Sequence, residues 1–507
     1  MHTLELIGAV TYFTLLIVLS CYGLHRYLMI YLFYRHRRER WEPKTRFDPL
    51  PRVTIQLPLY NEMYVAERLL DAVVALDYPK DRLEIQVLDD STDETTAIVA
   101  RKTAALRRQG FDIRHIRRRE RVGYKAGALQ HGLRSARGEL IAIFDADFVP
   151  RPDLLQRTIH YFTDPGIGML QARWGHLNDR YSLLTRVQSI FLDGHFLIEQ
   201  TARSRSGRFF NFNGTAGLWR RRCIEDSGGW HSDTLAEDLD LSYRAQIRGW
   251  RFVFLPDVVV PAELPVEMNA FKTQQHRWAK GSIQTCKKML PVLWRSPLPW
   301  KIKLEGTIHL TSNFGYLLVL ILCCLFRASA STSTMAATGG NAWTRMMLVD
   351  LPLFLAASGS VVAFYICAQK ELHAHWWKRL VYVPLMMAVG IGLSVNNARA
   401  VIEAVFNHRS EFIRTPKYGV TAAQVRLRSR GAYQALRGLI PYVELGLAGY
   451  FSFALADYIA AGMWGALPFA LIIQGGFLYV GLMSLGQRAW TRVFRSANPA
   501  DLAPAGA

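Results

Sequence analysis

Long apolar segments near both ends of the chain constrain its fold more than any other feature. Leu4 to Phe33 is almost continuously apolar, and four later segments are long enough to cross a bilayer. They are Thr307 to Phe326, Met347 to Cys367, Leu439 to Ala460 and Met463 to Leu485. Between them, Arg52 to about Val260 has short strand patterns alternating with helix patterns. The sequence therefore predicts a multi-span membrane protein with a doubly wound, Rossmann-like α/β domain inserted between transmembrane helices.

The basic residues orient this arrangement. The first apolar segment lacks the preceding charge and the cleavage site of a signal peptide, and the basic run Arg35 to Arg40 follows it. By the positive-inside rule, its carboxyl end and the α/β domain lie in the cytosol. The formal net charge of +20 fits an anionic membrane surface better than a nucleic acid, because the basic residues cluster beside apolar runs. Six cysteines without paired spacing indicate reduced thiols.

The patterns divide the chain into seven segments. They are 1–34, a transmembrane helix; 50–285, the α/β domain; 286–305, an interfacial amphipathic segment; 306–398, a transmembrane region; 399–437, a cytosolic loop; 438–486, two transmembrane helices; and 487–507, a tail. Basic loops on both sides of residues 379–407 have the character of cytosolic loops, so this stretch is interpreted as a re-entrant hairpin broken at Asn396-Asn397. Ser329 to Asn341, uncharged and rich in small residues, predicts an external loop.

Two carboxylates end the strand pattern that begins at Ile141. Asp145 and Asp147 are one residue apart, so both side chains point to the same side of the strand end. In open α/β sheets, ligands bind at the carboxyl ends of the strands. Hard oxygen ligands suit a divalent cation whose remaining coordination comes from a diphosphate. The alternative interpretation is a strand end with two solvated acids.

Polar motifs follow the two preceding strands. Tyr60 and Glu62, within Pro58 to Glu62, are candidate contacts for a nucleotide base or ribose, and so are Asp89 and Asp90. Helix capping explains these motifs equally well.

A lysine between two glycines marks the next candidate contact. Lys125 lies near a predicted helix start, where a cation could hold a diphosphate, although the spacing is not that of a Walker loop. The preceding run, Arg117 to Arg121, is interpreted as a solvated or membrane-facing charge run.

Small and acidic residues in the second half of the domain suggest an acceptor site. Gly214 and Thr215 belong to a small-residue loop that lets a bulky substrate approach the backbone, or that is simply a turn. Glu237 and Asp238 begin a predicted helix, where the macrodipole favours acids. Asp238 could also act as a general base toward an acceptor hydroxyl.

Gln274, Arg277 and Trp278 share one helical stretch. The guanidinium could hold a departing diphosphate, and the indole could stack on a sugar ring. The alternative is an interfacial tryptophan beside a snorkelling arginine.

Taken in this order, the motifs resemble those of inverting glycosyltransferase family 2, in particular its processive membrane enzymes: cellulose synthase, hyaluronan synthase and the cellulose synthase-like mannan and glucan synthases. The resemblance covers roughly Arg52 to Lys417 and rests on Asp89-Asp90, Asp145-Ala146-Asp147, Glu237-Asp238 and Gln274-x-x-Arg277-Trp278. It implies a glycosyltransferase A-type fold. The segment Phe412 to Lys417 is similar to the gating loop of cellulose synthase, with Arg414 where that pattern has Val.

The resemblance also implies roles for these residues. Asp145 and Asp147 would hold Mg²⁺ or Mn²⁺, and Asp238 would be the general base. The donor would contact Tyr60, Glu62, Asp89, Asp90, Lys125 and Asp145; the acceptor would contact Gly214, Thr215, Glu237 and Trp278; the diphosphate would contact Gln274 and Arg277; and Phe412, Thr415 and Lys417 would gate the site.

We therefore expect transfer of a hexose from UDP-glucose or GDP-mannose, with inversion, to a growing β-glucan or β-mannan. A glycolipid glycosyltransferase acting on ceramide or diacylglycerol shares the motifs and is the alternative. A transporter with a nucleotide-sensing domain would leave the Asp238 motif without a purpose. The expected partners are the nucleotide sugar, a glycan or lipid acceptor, membrane lipids and a second copy of the chain, with no nucleic acid. The expected location is a bacterial inner membrane, or the Golgi in a eukaryote.

Overall fold

One mixed sheet of seven strands forms the centre of the α/β domain. A computed structural model describes residues 2–336, 348–349, 351–408, 414–420 and 438–497. The strands are β1 (Val53–Leu59), β2 (Leu83–Asp89), β3 (Asp112–Arg117), β4 (Leu140–Ile143), β5 (Ile167–His176), β6 (Gly217–Arg220) and β7 (Arg251–Ala262), in the spatial order β3-β2-β1-β4-β6-β5-β7. The first four pair in parallel, as the predicted doubly wound pattern requires, and β6 is antiparallel to both of its neighbours.

Polar side chains inside the parallel half of the sheet bond to one another across strands. Thr54 lies opposite Glu84 and donates to its carboxylate at 2.6 Å, and Gln56 lies opposite Gln86 and donates to its amide oxygen at 3.0 Å. All four residues are fully buried. Because buried polar groups are tolerated when they are hydrogen-bonded, these cross-strand pairs fix the register of β1 against β2.

Helices cover both faces of this sheet. The helices of the domain are α2 (Ala66–Val74), α3 (Thr95–Arg108), α4 (Tyr124–Ser135), α5 (Leu154–Thr158), α6 (Leu183–Asp193), α7 (Thr201–Arg205), α8 (Arg221–Asp226) and α9 (Glu237–Ile247), with a π-helical turn at Gly194–Gln200, and α1 (His2–His36) precedes the sheet. α2 and α3 bury Leu69 and Val99 in one apolar core, and α4 and α9 bury Leu129 and Leu241 in another. The two cores lie on opposite faces of the sheet, which is the layered arrangement expected of a doubly wound domain.

The remaining helices follow the sheet. They are α10 (Met268–Arg295), α11 (Trp300–Thr311), α12 (Phe314–Ala336), α13 (Leu351–Phe354), α14 (Ser360–Leu372), α15 (Tyr382–Gly392), α16 (Ser394–Val405), α17 (Ile440–Ala460) and α18 (Leu467–Ala497). Within the described ranges, four helical segments are long and apolar enough to cross a membrane: Val10–His36, Leu351–Leu372, Ile440–Ala460 and Trp464–Gln487. These segments overlap four of the five apolar segments that the sequence predicts to span.

Two bent helix pairs account for the other apolar segments. Trp300–Thr311 and Phe314–Phe326 meet at 56°, and Trp376–Gly392 and Ser394–Val405 meet at 41°. The predicted break at Asn396-Asn397 was wrong: the helix breaks at Leu393, and both asparagines are buried inside α16. A bend of this size suits a broken span as well as the predicted re-entrant segment.

Two predicted boundaries differ from the helices in the structure. α10 continues through residue 285 to Arg295, so the interfacial segment predicted for 286–305 consists of the end of α10 and the start of α11. α12 extends to Ala336, so the first part of the predicted loop Ser329 to Asn341 is helical. The rest of that loop lies outside the described residues.

A buried ion pair joins α10 to the membrane helices. Lys272 Nζ lies 2.7 and 2.9 Å from the two carboxylate oxygens of Glu444 and 3.3 Å from Ser484 Oγ, and the two charged side chains are 3% and 0% exposed. Asn269 donates to the carbonyl of Ser484, and Asn396 donates to the carbonyl of Lys272. Charges this deeply buried require partners, so the cluster fixes α10 against α16, α17 and α18.

Replacing Glu444 with Ala should destabilise the protein by about 3–5 kcal/mol, because the Lys272 ammonium would be left buried without its carboxylate. The double variant Lys272→Met/Glu444→Leu should be more stable than Glu444→Ala, since it leaves no unpaired charge. Thermal melting of the detergent-solubilised chain, followed by tryptophan fluorescence, compares them. A double variant that melts no higher than Glu444→Ala would contradict this account.

Candidate active site

Each of the two acids that follow β4 is paired with a lysine. Lys125 Nζ lies 2.5 Å from Asp145 Oδ1, and Lys417 Nζ lies 2.6 Å from Asp147 Oδ2. Both ammonium groups also donate to backbone carbonyls, at 2.9 and 2.6 Å. The carboxylates therefore lie at the sheet edge where the sequence places them, and they are compensated by cations from distant parts of the chain.

The same two acids suit a divalent cation. Burial raises the pKa of Asp145; Lys125 acts against this rise, and the Asp147 carboxylate adds to it. Two acids that repel each other in a buried site are stabilised by positive charge, and their oxygen atoms are ligands that Mg²⁺ and Mn²⁺ prefer. The residues present therefore fit the predicted metal.

A second group of ligand-type side chains is already compensated by basic residues. His231, Asp233 and Asp240 place one ligand atom each within 4.8 Å of one another. Lys288 Nζ lies 2.8 Å from Asp233, 2.9 Å from Asp240 and 3.1 Å from His231 Nδ1. Arg244 forms a further ion pair with Asp240 at 2.8 Å. We assign no metal to this group.

Basic residues from β3 and the segment after it hold the two acids at the carboxyl end of β2, Asp89 and Asp90. Asp89 is 1% exposed, lies 2.8 Å from His115 Nε2 and accepts the Ser91 amide at 2.9 Å. Burial acts to raise the pKa of Asp89, but these hydrogen bonds outweigh it and keep the pKa below its usual range. Asp90 accepts two bonds from the Arg118 guanidinium, one of them at 3.0 Å. Asp89 is thus bonded inside the protein, and Asp90 is oriented by an arginine.

Arg118 and Arg121 of the basic run Arg117 to Arg121 lie at this sheet edge, whereas Arg117 and Arg119 are exposed, so the interpretation as a solvated or membrane-facing run holds only in part. Arg118 binds Asp90, and Arg117 donates to the backbone of the loop after β2 at 2.9 Å. The Arg121 guanidinium carbon lies 3.3 Å from the centre of the Tyr60 ring. The signal available in the sequence was the position of these residues directly after a parallel strand, at the edge that also carries Asp90.

Residues 414–420, which we call the strap, lie across this sheet edge. Arg414 makes two hydrogen bonds to the Glu62 carboxylate, at 2.9 and 2.8 Å, and Lys417 reaches Asp147. Tyr418 is bound through its amide and its hydroxyl to two glutamates that follow β7, each at 2.9 Å. The strap therefore contacts two residues that the sequence assigns to donor and metal binding.

The strap includes part of the predicted gating loop. Thr415 is 5% exposed and lies between the two basic anchors Arg414 and Lys417. The arginine that replaces the Val of the cellulose synthase pattern has Glu62 as its partner. Phe412, also predicted to gate the site, lies outside the described residues.

Glu237 and Asp238 are the first residues of α9. Asp238 Oδ1 accepts the Leu239 amide at 2.8 Å. Burial raises the pKa of Asp238 to about 7, and the Glu237 carboxylate adds to the rise. A buried carboxyl that titrates near neutral pH is suited to accept a proton in catalysis.

The loop before β6 separates Asp238 from Lys125. A Cβ atom on Gly214 would lie 3.2 Å from Asp238 Oδ2 and 3.4 Å from Lys125 Nζ, and its φ of +80° favours glycine. Thr215 Oγ1 accepts the Asp145 amide at 2.9 Å. The two predicted acceptor residues of this loop therefore position the acids on either side. We call the space between Asp145, Asp147 and Asp238 the catalytic crevice.

α10 brings Arg277 of the predicted Gln-x-x-Arg-Trp motif to the crevice. Burial lowers the pKa of Arg277, and the carboxylates of Glu237 and Asp145 act against this lowering, so the guanidinium lies within their electrostatic reach. A Cβ atom on Gly281 would lie 2.8 Å from the Ala236 backbone and side chain, so glycine allows α10 to pack against the start of α9. Gln274 is half-buried on the same helix.

An aromatic cluster lies beside the crevice. Trp278 is 37% exposed, and its ring centre is 6.4 Å from that of Trp174 at the end of β5. Trp174 also packs on Phe148 and Phe196, at 5.1 and 4.9 Å. The sequence reasoning missed Trp174; its signal was an aromatic residue near the end of a buried strand.

Comparison with known proteins identifies the domain. Residues 51–281 match the family profile described as "Glycosyltransferase like family 2". The chain is 40% identical over 306 residues to glucomannan 4-beta-mannosyltransferase 2 of Arabidopsis thaliana, covering 58% of this chain and 57% of that protein. It is 42% identical over 289 residues to glucomannan 4-beta-mannosyltransferase 1 of Oryza sativa subsp. japonica, covering 55% of each. The chain spans about half the length of the curated relatives it matches.

A solved structure supports the fold. The mannosyltransferase PcManGT from Pyrobaculum calidifontis, in complex with GDP-Man and Mn2+, aligns with a TM-score of 0.52 at 24% identity, covering 78% of this chain and 99% of that one. This likeness shows the fold alone. The predicted family 2 domain and the predicted glycosyltransferase A-type fold are confirmed.

The raised pKa of Asp238 predicts a pH-dependent stability. An ordinary aspartate has a pKa of about 3.9 in the unfolded chain, so the native state holds the Asp238 proton more tightly than the unfolded chain does. Stability should therefore fall as pH rises from that value through about 7, and level off above it. Asp238→Asn has no carboxyl to titrate. The melting temperature of this variant minus that of the parent should therefore increase as the pH rises across this range.

Melting temperatures measured in a chelator across this pH range test that expectation. Asp226→Asn is the matched control, because Asp226 is exposed. A difference between Asp238→Asn and the parent that does not change with pH would contradict the expectation.

Proposed function

We propose that this chain, which carries a glycosyltransferase family 2 domain over residues 51–281, transfers mannose from GDP-mannose, with inversion, to the end of a growing β-linked mannan or glucomannan. The relatives named glucomannan 4-beta-mannosyltransferase support mannose and a polysaccharide acceptor over the glycolipid alternative. The solved structure that holds GDP-Man is in keeping with this donor.

One observation carries the proposal: a candidate base and a candidate diphosphate site face each other across a single glycine. Gly214 separates the Asp238 carboxylate from Lys125 Nζ, and Lys125 holds Asp145. An inverting transfer needs a base on one side of the sugar and stabilisation of the leaving group on the other. We infer that the catalytic crevice provides this arrangement.

The donor nucleotide would lie along the carboxyl edge of the parallel strands. Tyr60 and Asp90 line this edge, and Arg121 and Arg118 hold their side chains in place. Such a fixed edge favours binding of a planar base and its ribose, because the protein groups lose little freedom when the ligand binds.

The acceptor hydroxyl would approach the anomeric carbon from the side of Asp238. Its carboxylate takes the hydroxyl proton while the oxygen attacks in line, and the bond to the nucleotide diphosphate breaks. Because the raised pKa of Asp238 lies near neutral pH, about half of the base is ionised at pH 7, and the ionised form accepts a proton readily. Glu237 maintains the rise in the pKa.

The departing diphosphate would meet positive charge. Lys125 and Arg277 lie near Asp145, and both are placed to donate to phosphate oxygens. Asp145 and Asp147 would hold Mg²⁺ or Mn²⁺, which when bound supplies further positive charge to the leaving group.

The acceptor end of the glycan would stack against the aromatic cluster. Trp278 offers an exposed indole beside Trp174, and sugar rings pack on such faces. Because α10 connects the site to the membrane helices, a lengthening chain would pass toward them. We place the catalytic domain on the cytosolic side, since basic residues 35–40 follow α1.

The strap would respond to the donor. Arg414 and Lys417 already bind Glu62 and Asp147, so a diphosphate and its metal ion would compete with these contacts. Release of the Lys417 ammonium from Asp147 would let it turn to a phosphate oxygen. This is the gating role proposed for Thr415 and Lys417.

Transfer by membranes that contain the full chain tests the function. Radiolabelled GDP-mannose and UDP-glucose are supplied separately with Mn²⁺ or Mg²⁺, and the products are extracted, sized and digested with endomannanase. We expect label from GDP-mannose in a digestible polymer. Label found only in the organic phase would overturn the polysaccharide assignment, and incorporation from UDP-glucose alone would overturn the donor.

In the same assay, Asp238→Asn should reduce transfer by roughly 10²–10⁴-fold, the usual contribution of a general base. Binding of GDP-mannose should remain, because the substitution lies on the acceptor side. Asp226→Asn should retain activity. Substantial transfer by Asp238→Asn would rule out this residue as the base.

Lys417→Met should strengthen Mn²⁺ binding to the donor-free protein, because it frees Asp147 from its ammonium partner. We expect roughly a fivefold gain, equivalent to an ion pair worth about 1 kcal/mol. The free Mn²⁺ signal in electron paramagnetic resonance measures this, with Lys80→Met, an exposed lysine, as the control. Unchanged or weaker binding would contradict competition by the strap.

A further inference from the structure

A basic cavity lies where the chain leaves α1 and enters the α/β domain. It has a volume of about 380 Å³ and is formed by the segment after α1, by α5 and the turn after it, by the end of α7 and by the middle of β7. Its lining includes Arg40, Arg46, Arg157 and Arg205. The catalytic crevice contributes no residue to this lining, so this is a separate site.

The cavity carries an excess of positive charge. The acidic residues in its lining are Glu42 and Asp257, against four arginines. Arg157 donates to the backbone carbonyl of Asp257 at 3.1 Å, and its ion pair, at 3.5 Å, is with an aspartate on its own helix. Among the residues that the structure describes, Arg40 and Arg46 have no carboxylate within 4.0 Å.

Arg205 forms the inner wall of the cavity. It donates to the carbonyl of Arg37 at 2.6 Å and to the carbonyl of His36, the last residue of α1, at 3.5 Å. Its Nε is buried and has no hydrogen-bond acceptor within the described part of the chain. The guanidinium is thus fixed in place at the end of a membrane helix with one donor unused.

A neutral histidine and aromatic residues complete the lining. The Phe47 amide donates to His160 Nδ1 at 3.0 Å, so this ring carries its proton on Nε2 and has a donor there. Burial lowers the pKa of His160, and the Arg46 charge lowers it further. Trp41 donates to Ser204 Oγ at 3.2 Å. The lining therefore combines guanidinium donors, an imidazole donor and an indole of the type found at membrane surfaces.

We propose that this cavity binds a phosphate-bearing anion. Planar guanidinium groups bind phosphate oxygens in pairs, and a cavity of this size accommodates a small polar group. Its place directly after α1, next to the basic run 35–40, points to the headgroup of an anionic phospholipid as the source, with a soluble phosphate compound as the alternative. A bound headgroup would tie the α/β domain to the membrane surface at the point where Arg205 already holds the end of α1.

Lipid binding to the purified full chain in detergent tests the proposal. Native mass spectrometry would compare adducts of phosphatidylglycerol and phosphatidylcholine, in the presence and absence of inorganic phosphate. The variants are Arg46→Gln and Arg157→Gln, and the matched control is Arg108→Gln, an exposed arginine on α3. All three remove one positive charge, and none lies at the catalytic crevice.

We expect the chain to bind phosphatidylglycerol in preference to phosphatidylcholine. Each cavity substitution should reduce this preference about fivefold, which is the contribution of one arginine near a membrane surface. Arg108→Gln should leave the preference unchanged. If inorganic phosphate reduces lipid binding but the two lipids bind equally, the cavity binds phosphate groups and its ligand is a soluble anion. Equal binding of both lipids that phosphate does not reduce, or equal loss in Arg108→Gln, would overturn the proposal. Melting curves of the variants show whether each one folds.

Discussion

Charge balance at the carboxyl edge of the parallel strands is the constraint on which the rest of the site depends. Acids lie close together at this edge, and Asp145 and Asp147 each have a lysine partner. Lys125 reaches Asp145 from α4, and Lys417 reaches Asp147 from a segment near the other end of the chain. Without their lysine partners, these acids would repel one another and take up protons. With their partners they form a site in which acids and ammonium groups balance one another.

The same requirement explains why the catalytic domain and the membrane helices form one structure. α10 carries Arg277 to the crevice and, little more than one turn earlier, buries Lys272 against Glu444 of α17. A shift of the membrane helices would therefore move the guanidinium relative to the acids that surround it. If the proposed function holds, a polymer lying between the helices would in this way be mechanically connected to the reaction that lengthens it.

Strand patterns and strand ends were the most predictable part of the molecule. Asp90 and Asp145 were located from the strands that precede them, because the edge of a parallel sheet follows from chain order alone. Arg118 and Arg121 were misinterpreted because a run of like charges suggests solvent unless its position at that edge is considered. The contact between Arg414 and Glu62 spans most of the chain, and no local pattern encodes it. The helix break at Leu393 likewise depends on tertiary packing rather than on the polar pair that follows.

The anomeric configuration of the product tests the central claim most directly, because an in-line displacement with Asp238 as the base would invert that configuration. Carbon-13-labelled GDP-mannose, in which the sugar is α-linked, would be supplied to membranes that contain the full chain, and the one-bond carbon–hydrogen coupling at C1 of the new linkage would be measured by NMR. The account predicts a β-linkage. An α-linkage would show retention and would contradict the role of Asp238 as the base in an in-line displacement.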